Sequence, residues 1–374
     1  MTKISWTITN TDASTDFTSS VRYFTYTQGR RSTLDNYAGG SATITMENDA
    51  GQVANAFLNY RQKVTIKATA ETGTAKTCFI GWVQGINYND TQTGVGSTAV
   101  ITLGDAWILA GQQIATAADN QNLIDNTLQV AEIAAFQFYT GQFQQPYYSS
   151  SIRGALPYVG DWASRLNEIV ASDRGRFVVV NGLHNYYSFA TIQVLIDNSF
   201  TFGRTASASV IAYQSLDRVK AIGNQTYVNS AQVTPESLAT QTATNIQAAV
   251  VGTSAITVAT LNTTVTDGMN TAKWIANSMA DNSQQSFTIT CTDIAQTSLV
   301  KLVYQLSTSA IVELAYTPPD GVSTSEWVSV EGQTVRAFPD YTEIDFNCAS
   351  YTYYRAFILN NTVNGVLDSS RLGY

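Results

Sequence analysis

A two-residue alternation of side-chain character recurs through the first 105 residues, and it constrains the fold more than any other feature. In Val21–Tyr26, for example, Phe24 and Tyr26 fall on one side and Tyr23 and Thr25 on the other. This period is that of a β-strand with one buried face. Gly39-Gly40 and Asn48–Gly51 supply turns. We predict a small barrel or sandwich of five or six strands, including Val21–Tyr26, Ala42–Met46, Val64–Ala68, Cys78–Tyr88 and Thr98–Leu103.

Residues 106–198 change to mixed helix and strand. Asn120–Tyr139 carries an apolar stripe at helical spacing, and Asp161 can cap a second helix over Trp162–Ser172. Phe177–Val180 and Leu183–Phe189 flank Asn181-Gly182, a pair that favours the type I′ turn of a β-hairpin. This part is therefore predicted to be an α+β domain with a helix and a hairpin.

From residue 199 the chain returns to strands, with a helical insertion at about 234–280. Thr234-Pro235-Glu236 predicts one helix start, and Asp267 a cap for Met269–Met279. Pro318–Gly321 predicts a turn. No fixed-period repeat is detected, and the sequence leaves open whether the two β regions are copies of one module. The predicted strands are Ala206–Gln214, Arg218–Gly223, Ser286–Thr292, Leu299–Leu306, Ile311–Tyr316, Thr342–Phe346 and Tyr351–Leu359.

Composition narrows the classes of function. Only 13% of residues are charged, against about 25% in ordinary soluble proteins. This suits a surface that packs against neighbours. A net charge of -8 argues against a general nucleic-acid clamp. No apolar run approaches the roughly 20 residues of a membrane span, and no signal peptide is detected. Folding in a cytoplasm, followed by incorporation into an assembly there, is therefore expected.

Residues suited to catalysis or metal binding are few. The single His184 follows a turn and lacks the partners of a catalytic triad. The three cysteines, Cys78, Cys291 and Cys348, have no metal spacing, and the first two lie in apolar runs. We predict no catalytic residue, cofactor or metal.

Two alternatives stay open. Glu313, Glu343 and Asp345 could supply the paired carboxylates of a glycosidase, although a solvated strand face explains them more simply. Tyrosines cluster at Tyr147-Tyr148, Tyr186-Tyr187 and Tyr351–Tyr354. These rings could stack on sugars, but they also suit protein interfaces.

Two segments resemble one family. Gly29-Arg-Arg-Ser-Thr-Leu-Asp35 is followed by Gly40-Ser-Ala-Thr-Ile-Thr45, and the chain finishes Gly365-Val-Leu-Asp-Ser-Ser-Arg-Leu-Gly-Tyr374. Both resemble segments of the minor tail or baseplate-hub proteins of long-tailed bacteriophages. In that family a helix like Leu166–Gly175 also precedes a hairpin.

The resemblance implies a mainly β fold with two tail-tube-like barrel or sandwich modules and a helix–hairpin domain. We therefore predict a first module over 1–105, an α+β domain over 106–198 and a second module over 199–374. It also implies a structural hub at the distal end of a phage tail in the virion. There a homotrimeric ring would contact distal-tail, tape-measure and tip or fibre proteins and let DNA pass without specific binding.

Two arginines are predicted to contact a neighbouring subunit. Arg30 and Arg31 lie in the Gly-Arg-Arg-Ser turn, which lacks the lysine and the following helix of a nucleotide-binding loop. Guanidinium groups pair well with carboxylates at interfaces, although a turn that simply faces solvent would explain both arginines equally well. The rival functions are a receptor- or carbohydrate-binding tail-tip protein and a β-rich glycan-cleaving enzyme.

Overall fold

The fold is mainly β, as predicted, and most strands belong to one 14-stranded sheet. A computed structural model describes residues 4–30, 38–69, 74–114, 160–180, 183–187, 196–207, 209–220, 228–235, 237–246, 248–278, 285–293, 311–319 and 321–350. Two smaller sheets, of three and two strands, complete the β structure of these residues.

The N-terminal region forms seven strands of the large sheet. All five predicted strands are confirmed, each extended by one to three residues at one or both ends. The strands are β1 (Ser5–Asn10), β2 (Thr15–Asp16), β3 (Val21–Gly29), β4 (Ser41–Glu47), β5 (Lys63–Thr69), β6 (Lys76–Asn89) and β7 (Thr98–Gly104). The short helix α1 (Gln52–Asn55) joins β4 to β5. In space the order is β2-β1-β5-β6-β7-β4-β3.

Helix α2 (Ala106–Gly111) follows β7 and leads to the helix–hairpin part. Asp161 caps helix α3 (Trp162–Asp173) by accepting a hydrogen bond from the Ser164 amide at 2.8 Å, as predicted. Arg174 ends the helix in a left-handed conformation (φ 57°). Strands β8 (Arg176–Val180) and β9 (Leu183–Tyr187) then pair antiparallel, which confirms the hairpin strands. The predicted helix Asn120–Tyr139 and the Asn181-Gly182 turn lie outside the described residues.

The C-terminal region also contributes seven strands to the large sheet. These are β10 (Ile196–Gly203), β11 (Val210–Ala212), β12 (Ser215–Lys220), β16 (Gln285–Thr292), β17 (Ile311–Tyr316), β18 (Thr324–Ala337) and β19 (Thr342–Ser350). Their order in space is β11-β10-β17-β18-β19-β16-β12. If the strands of each module are numbered from 1 to 7 along the chain, both modules have the same spatial order, 2-1-5-6-7-4-3. Two pairings differ, both made by the first strand of the module. Strand β10 runs parallel to β11 and β17, whereas β1 runs antiparallel to β2 and β5.

Two local features repeat at equivalent places in these two modules. Ser41–Thr45 and Ser286–Thr290 both read Ser-x-Thr-Ile-Thr, and each lies in the strand that pairs with the last strand of its module. The long strands β6 and β18 each carry a bulge, within Val83-Gln84-Gly85 and Val330-Glu331-Gly332. Shared strand order, motif and bulge indicate two copies of one module. The domain boundaries themselves stay predictions.

Each module folds over on itself around an apolar interior. Trp6 on β1 packs edge-on against Phe24 on β3 with ring centroids 5.0 Å apart, although these strands lie far apart in the sheet order. In the second module Arg218 on β12 lies over the ring of Tyr316 on β17, 4.7 Å from its centroid. The buried residues of both modules form one continuous core.

The insertion between β12 and β16 combines a small sheet with helices. Strand β13 (Ser230–Pro235) pairs with β14 (Gln241–Thr244) and with β15 (Ala255–Thr260), and helices α4 (Ala248–Val251) and α5 (Val265–Ser278) follow β14 and β15. The predicted apolar face of α5, with Ala272, Ile275 and Ala276, is buried against the small sheet.

Two predictions on the insertion are wrong. Thr234 and Pro235 end strand β13 instead of starting a helix, because a proline at the end of a strand costs no central ladder bond. Helix α5 begins before Asp267, and its cap is Thr264, whose hydroxyl accepts from the Asp267 amide at 3.1 Å.

Other strand predictions have mixed outcomes. Ala206–Gln214 is wrong in its extent, because only Val210–Ala212 is a strand there. Leu299–Leu306 and Tyr351–Leu359 lie outside the described residues. The Pro318–Gly321 turn is confirmed by a hydrogen bond from the Gly321 amide to the Pro318 carbonyl at 2.9 Å. Seven of the described strands were not predicted, among them three in the insertion that was expected to be helical: β1, β2, β10, β13, β14, β15 and β18. Among the described helices none is long and apolar enough to cross a membrane.

Candidate functional site

The two modules meet where β18 changes its neighbour. The first half of β18 pairs with β17, and its second half pairs with β3 of the other module, from Gly332 opposite Gly29 to Ala337 opposite Phe24. A β-carbon on Gly332 would lie 2.6 Å from the Arg30 carbonyl oxygen. Only glycine therefore lets the N-terminal module approach so closely.

A buried carboxylate at the β18 bulge joins three parts of the chain. Glu331 accepts from the Arg30 Nε at 2.8 Å and from an Arg176 guanidinium nitrogen at 2.5 Å. Arg30 follows β3, Glu331 belongs to β18, and Arg176 begins the hairpin. The Glu331 and Arg176 side chains are each 1% exposed, and Arg30 is 7% exposed. Ser329 also donates to Glu331 at 3.1 Å.

The charge balance of this cluster explains its ionisation. Burial disfavours the carboxylate, but Arg176 and Arg30 outweigh burial and lower the pKa of Glu331. Breaking such a buried pair is costly because it leaves an uncompensated charge. The cluster therefore fixes the N-terminal module, the C-terminal module and the hairpin in one arrangement.

The structure places the two predicted contact arginines differently. Arg30 is engaged inside its own chain with Glu331, so the single chain already accounts for its guanidinium. Arg31 lies outside the described residues. A subunit contact by this pair stays a prediction. Glu331 and Arg176 were missed, although the Val-Glu-Gly bulge, paralleled by Val-Gln-Gly in the first module, is the signal that marks the junction.

A second buried carboxylate closes the Gly39-Gly40 turn. Asp105 caps α2 by accepting from the Trp107 amide at 2.9 Å, and it also accepts from the Gly40 amide at 2.7 Å. A β-carbon on Gly39 would lie 2.2 Å from the Ile108 side chain. Burial raises the pKa of Asp105 to about 7 despite these hydrogen bonds. The Gly-Gly pair is therefore explained by packing.

The three carboxylates considered for glycan cleavage have structural partners. Arg336 lies 2.5 Å from Glu343 and 2.6 Å from Asp345, so one guanidinium binds both. Asp345 also accepts from the Thr290 hydroxyl at 2.8 Å. Glu313 accepts from Ser325 and from the Thr201 hydroxyl. These carboxylates support pairing between strands.

The remaining reactive residues offer little chemistry. All three cysteines are free and buried, and burial raises the pKa of the Cys78 thiol to about 12. Cys78 and Cys291 are thus core thiols, as predicted. His184 lies on β9 opposite Val179. Within the described ranges no group of three or more His, Cys, Asp and Glu side chains could hold a metal ion.

A groove opens at the far end of the module junction. It has a volume of about 350 Å³ and is lined by β1, β3 and the end of β18. Tyr23 and Phe338 stack across it with ring centroids 6.5 Å apart, and Tyr341 stacks on Phe338 at 4.8 Å. The predicted tyrosine clusters lie outside the residues whose side chains are described.

Comparison with known proteins identifies the fold. No protein-family model and no curated protein matches the chain. Among solved structures, the tail protein from Neisseria meningitidis MC58 is similar, with a TM-score of 0.61 at 10% identity over 94% of this chain and 98% of that chain. The 43 kDa tail protein of prophage MuSo2 from Shewanella oneidensis gives 0.58 at 12% identity, covering 95% and 98%.

A third similar structure is the prophage tail protein gp18 from Listeria monocytogenes EGD-e, with a TM-score of 0.52 at 9% identity, covering 92% of this chain and 94% of that chain. The likeness extends over nearly the full length of each chain. The predicted resemblance to phage tail proteins is therefore confirmed at the level of the fold.

Proposed function

We propose that this chain is a structural hub protein at the distal end of a phage tail, where it joins the tail tube to the tip proteins. The observation that carries the proposal is the fusion of two modules of one strand order into a single sheet. Three such chains present six modules in a ring. A ring with six similar modules can continue a sixfold tube while offering threefold symmetry to the tip.

The proposed mechanism is mechanical. A hub must hold its modules in fixed register while it closes, continues or opens a channel. The buried Arg30–Glu331–Arg176 cluster suits this task because it resists relative movement of the parts that it joins. The acidic balance of the chain suits a wall past which DNA moves, since fixed cations would bind phosphates.

Electron microscopy tests the proposal directly. The purified chain should form rings with the mass of three copies, and an antibody against it should label tail particles at the distal end only. Label along the whole tube, or tail particles that lack the protein, would contradict the proposal.

A carbohydrate-binding tail component is the second candidate function, favoured by one observation. The stacked rings of Tyr23 and Phe338 line an open groove, Tyr341 stacks on Phe338, and Tyr23 is 46% exposed. Aromatic faces of this kind can hold sugar rings. A glycan array separates the two candidates, because a hub needs no glycan and Tyr23→Ala should abolish any glycan binding that the groove supports.

A further inference from the structure

We propose that chains join in the ring by adding strand β12 of one chain to the second half of β6 in the next chain. The register would be the one by which β3 pairs with β18 inside each chain. This inference rests on the proposed ring and adds its contact residues. The strand pairing between the two modules of one chain would then be repeated, in the same register, between neighbouring chains.

The two edges that this pairing needs are open in the single chain. The edge of β6 that binds β5 is paired up to Val83, whose amide donates to the Gln62 carbonyl at 2.9 Å. From Gly85 to Asn89, β6 pairs only with β7 among the described residues. Strand β12 likewise pairs only with β16 there. Exposed strand edges are templates for pairing with another chain.

The two edges also correspond to the strands of the internal junction. By position in the module, β6 is equivalent to β18 and β12 to β3. The Val-Gln-Gly and Val-Glu-Gly bulges align β6 with β18, and the shared pairing to β4 and β16 aligns β3 with β12. Transferring the internal register predicts Ile86 opposite Lys220, Asn87 opposite Val219, Tyr88 opposite Arg218, and Asn89 opposite Asp217.

Gly85 supplies independent support. Its counterpart Gly332 must be glycine because the backbone of Arg30 approaches it. Nothing lies within 4 Å of a β-carbon placed on Gly85, and its φ is not in the left-handed range. Neither packing nor backbone conformation within the described chain therefore requires a glycine there. An approaching strand from another chain would require it, as β3 does at Gly332.

The side chains at the predicted contact are compatible. Tyr88 is 56% exposed, whereas its counterpart Val335, which pairs with Tyr26 of β3, is fully buried. Arg218, which lies over the Tyr316 ring of its own chain, would also face Tyr88, and arginine stacks well on tyrosine rings. Val219, 60% exposed, would lie opposite Asn87 on the outer face. No pair in this register sets like charges opposite each other.

Paired glycine variants test the proposal. We expect Gly85→Ala to leave the thermal stability of the single chain unchanged and to raise the dissociation constant of the ring by about tenfold or more, because a methyl group would meet the incoming backbone. Gly332→Ala is the matched variant at the internal junction and should lower the stability of the chain itself. Unchanged assembly of Gly85→Ala would overturn the proposed pairing.

Cysteine crosslinking tests the register. In the full chain, Asn87→Cys with Val219→Cys would place two cysteines directly opposite, about 4.5–5.5 Å apart between Cα atoms, within reach of a disulfide. Oxidation should give covalent dimers and trimers on a non-reducing gel. The control, Asn87→Cys with Asp217→Cys, is diagonal at about 7–8 Å and should link poorly. The three natural cysteines are buried.

The outcomes distinguish this pairing from the proposed hub. A three-chain ring in which the opposite pair fails to link, or links no better than the control, overturns the pairing and leaves the hub intact. A chain that stays monomeric at every concentration and in tail particles overturns both.

Discussion

Replacing Glu331 with Gln removes one charge from the junction of the three parts of the chain while leaving its shape almost unchanged. The glutamine keeps an oxygen that can accept from one arginine. Arg30 and Arg176, which are 7% and 1% exposed, then keep their charges but lose the carboxylate that both of them contact. The variant therefore isolates the charge of Glu331 from its volume.

The expected cost follows from the burial of the cluster. Removing one partner of a buried ion pair costs about 3–5 kcal/mol, since a buried charge is left uncompensated. Unfolding entropy of about 2 cal/mol/K per residue over 374 residues corresponds to about 0.8 kcal/mol per degree. The melting temperature should therefore fall by about 4–6 °C.

Glu343→Gln is the matched control for this experiment. It makes the same chemical change in the same sheet, but its pair with Arg336 is 34% and 29% exposed. Exposed pairs contribute about 0–1 kcal/mol, so the melting temperature should fall by about 1 °C or less. Calorimetry of both variants beside the wild type at neutral pH measures the difference, and circular dichroism checks that the strands remain.

The reasoning is refuted if Glu331→Gln melts within a degree of Glu343→Gln. That result would mean that water reaches the arginines or that they find other partners at little cost. The same cluster also predicts acid sensitivity. Because the folded pKa of Glu331 is lowered, its contribution is present above its unfolded pKa and is lost as the pH falls through the folded value.

Three further predictions concern other parts of the chain. Burial raises the pKa of Asp105 from 3.8 to about 7. The stability that this residue contributes is therefore full below its unfolded pKa and is lost as the pH rises through about 7. The melting temperature should fall between pH 4 and pH 8 in the wild type but not in Asp105→Asn, and an equal fall in the variant would contradict this. Thr264→Ala removes the cap of α5 and should cost about 1 kcal/mol in urea unfolding, whereas Thr240→Ala, outside any helix, should cost less. Arg31→Ala should reduce the fraction of assembled rings in mass photometry without changing the melting temperature. Arg30→Ala should lower the melting temperature because Arg30 pairs with Glu331. If Arg31→Ala leaves assembly unchanged, the predicted subunit contact is wrong.

Local pattern was enough to predict most of the N-terminal module. Strand β3 alternates as expected, with Phe24 and Tyr26 buried, because a strand with one buried face must repeat every two residues. Helix α3 and its Asp161 cap were predictable for a similar reason, since the hydrogen bond spans only three residues. Features of this kind depend on neighbours along the chain.

Strand β18 shows why the rest was not predictable. Its bulge at Glu331 interrupts the alternation, and its middle is buried on both faces between modules. The sequence alone also did not show that the module is repeated. The two Ser-x-Thr-Ile-Thr segments can be recognised as equivalent only because each pairs with the last strand of its module.

Alternation, caps and turns along the chain thus specified a mainly β protein with a helix and a hairpin in its middle. Tertiary contacts decided which strands became neighbours and which charges became buried. Glu331 binds Arg176 and Arg30, which lie 155 and 301 residues away in the sequence. The burial and ionisation of such a group depend on partners that only folding brings together, because a charge avoids the interior unless an opposite charge accompanies it.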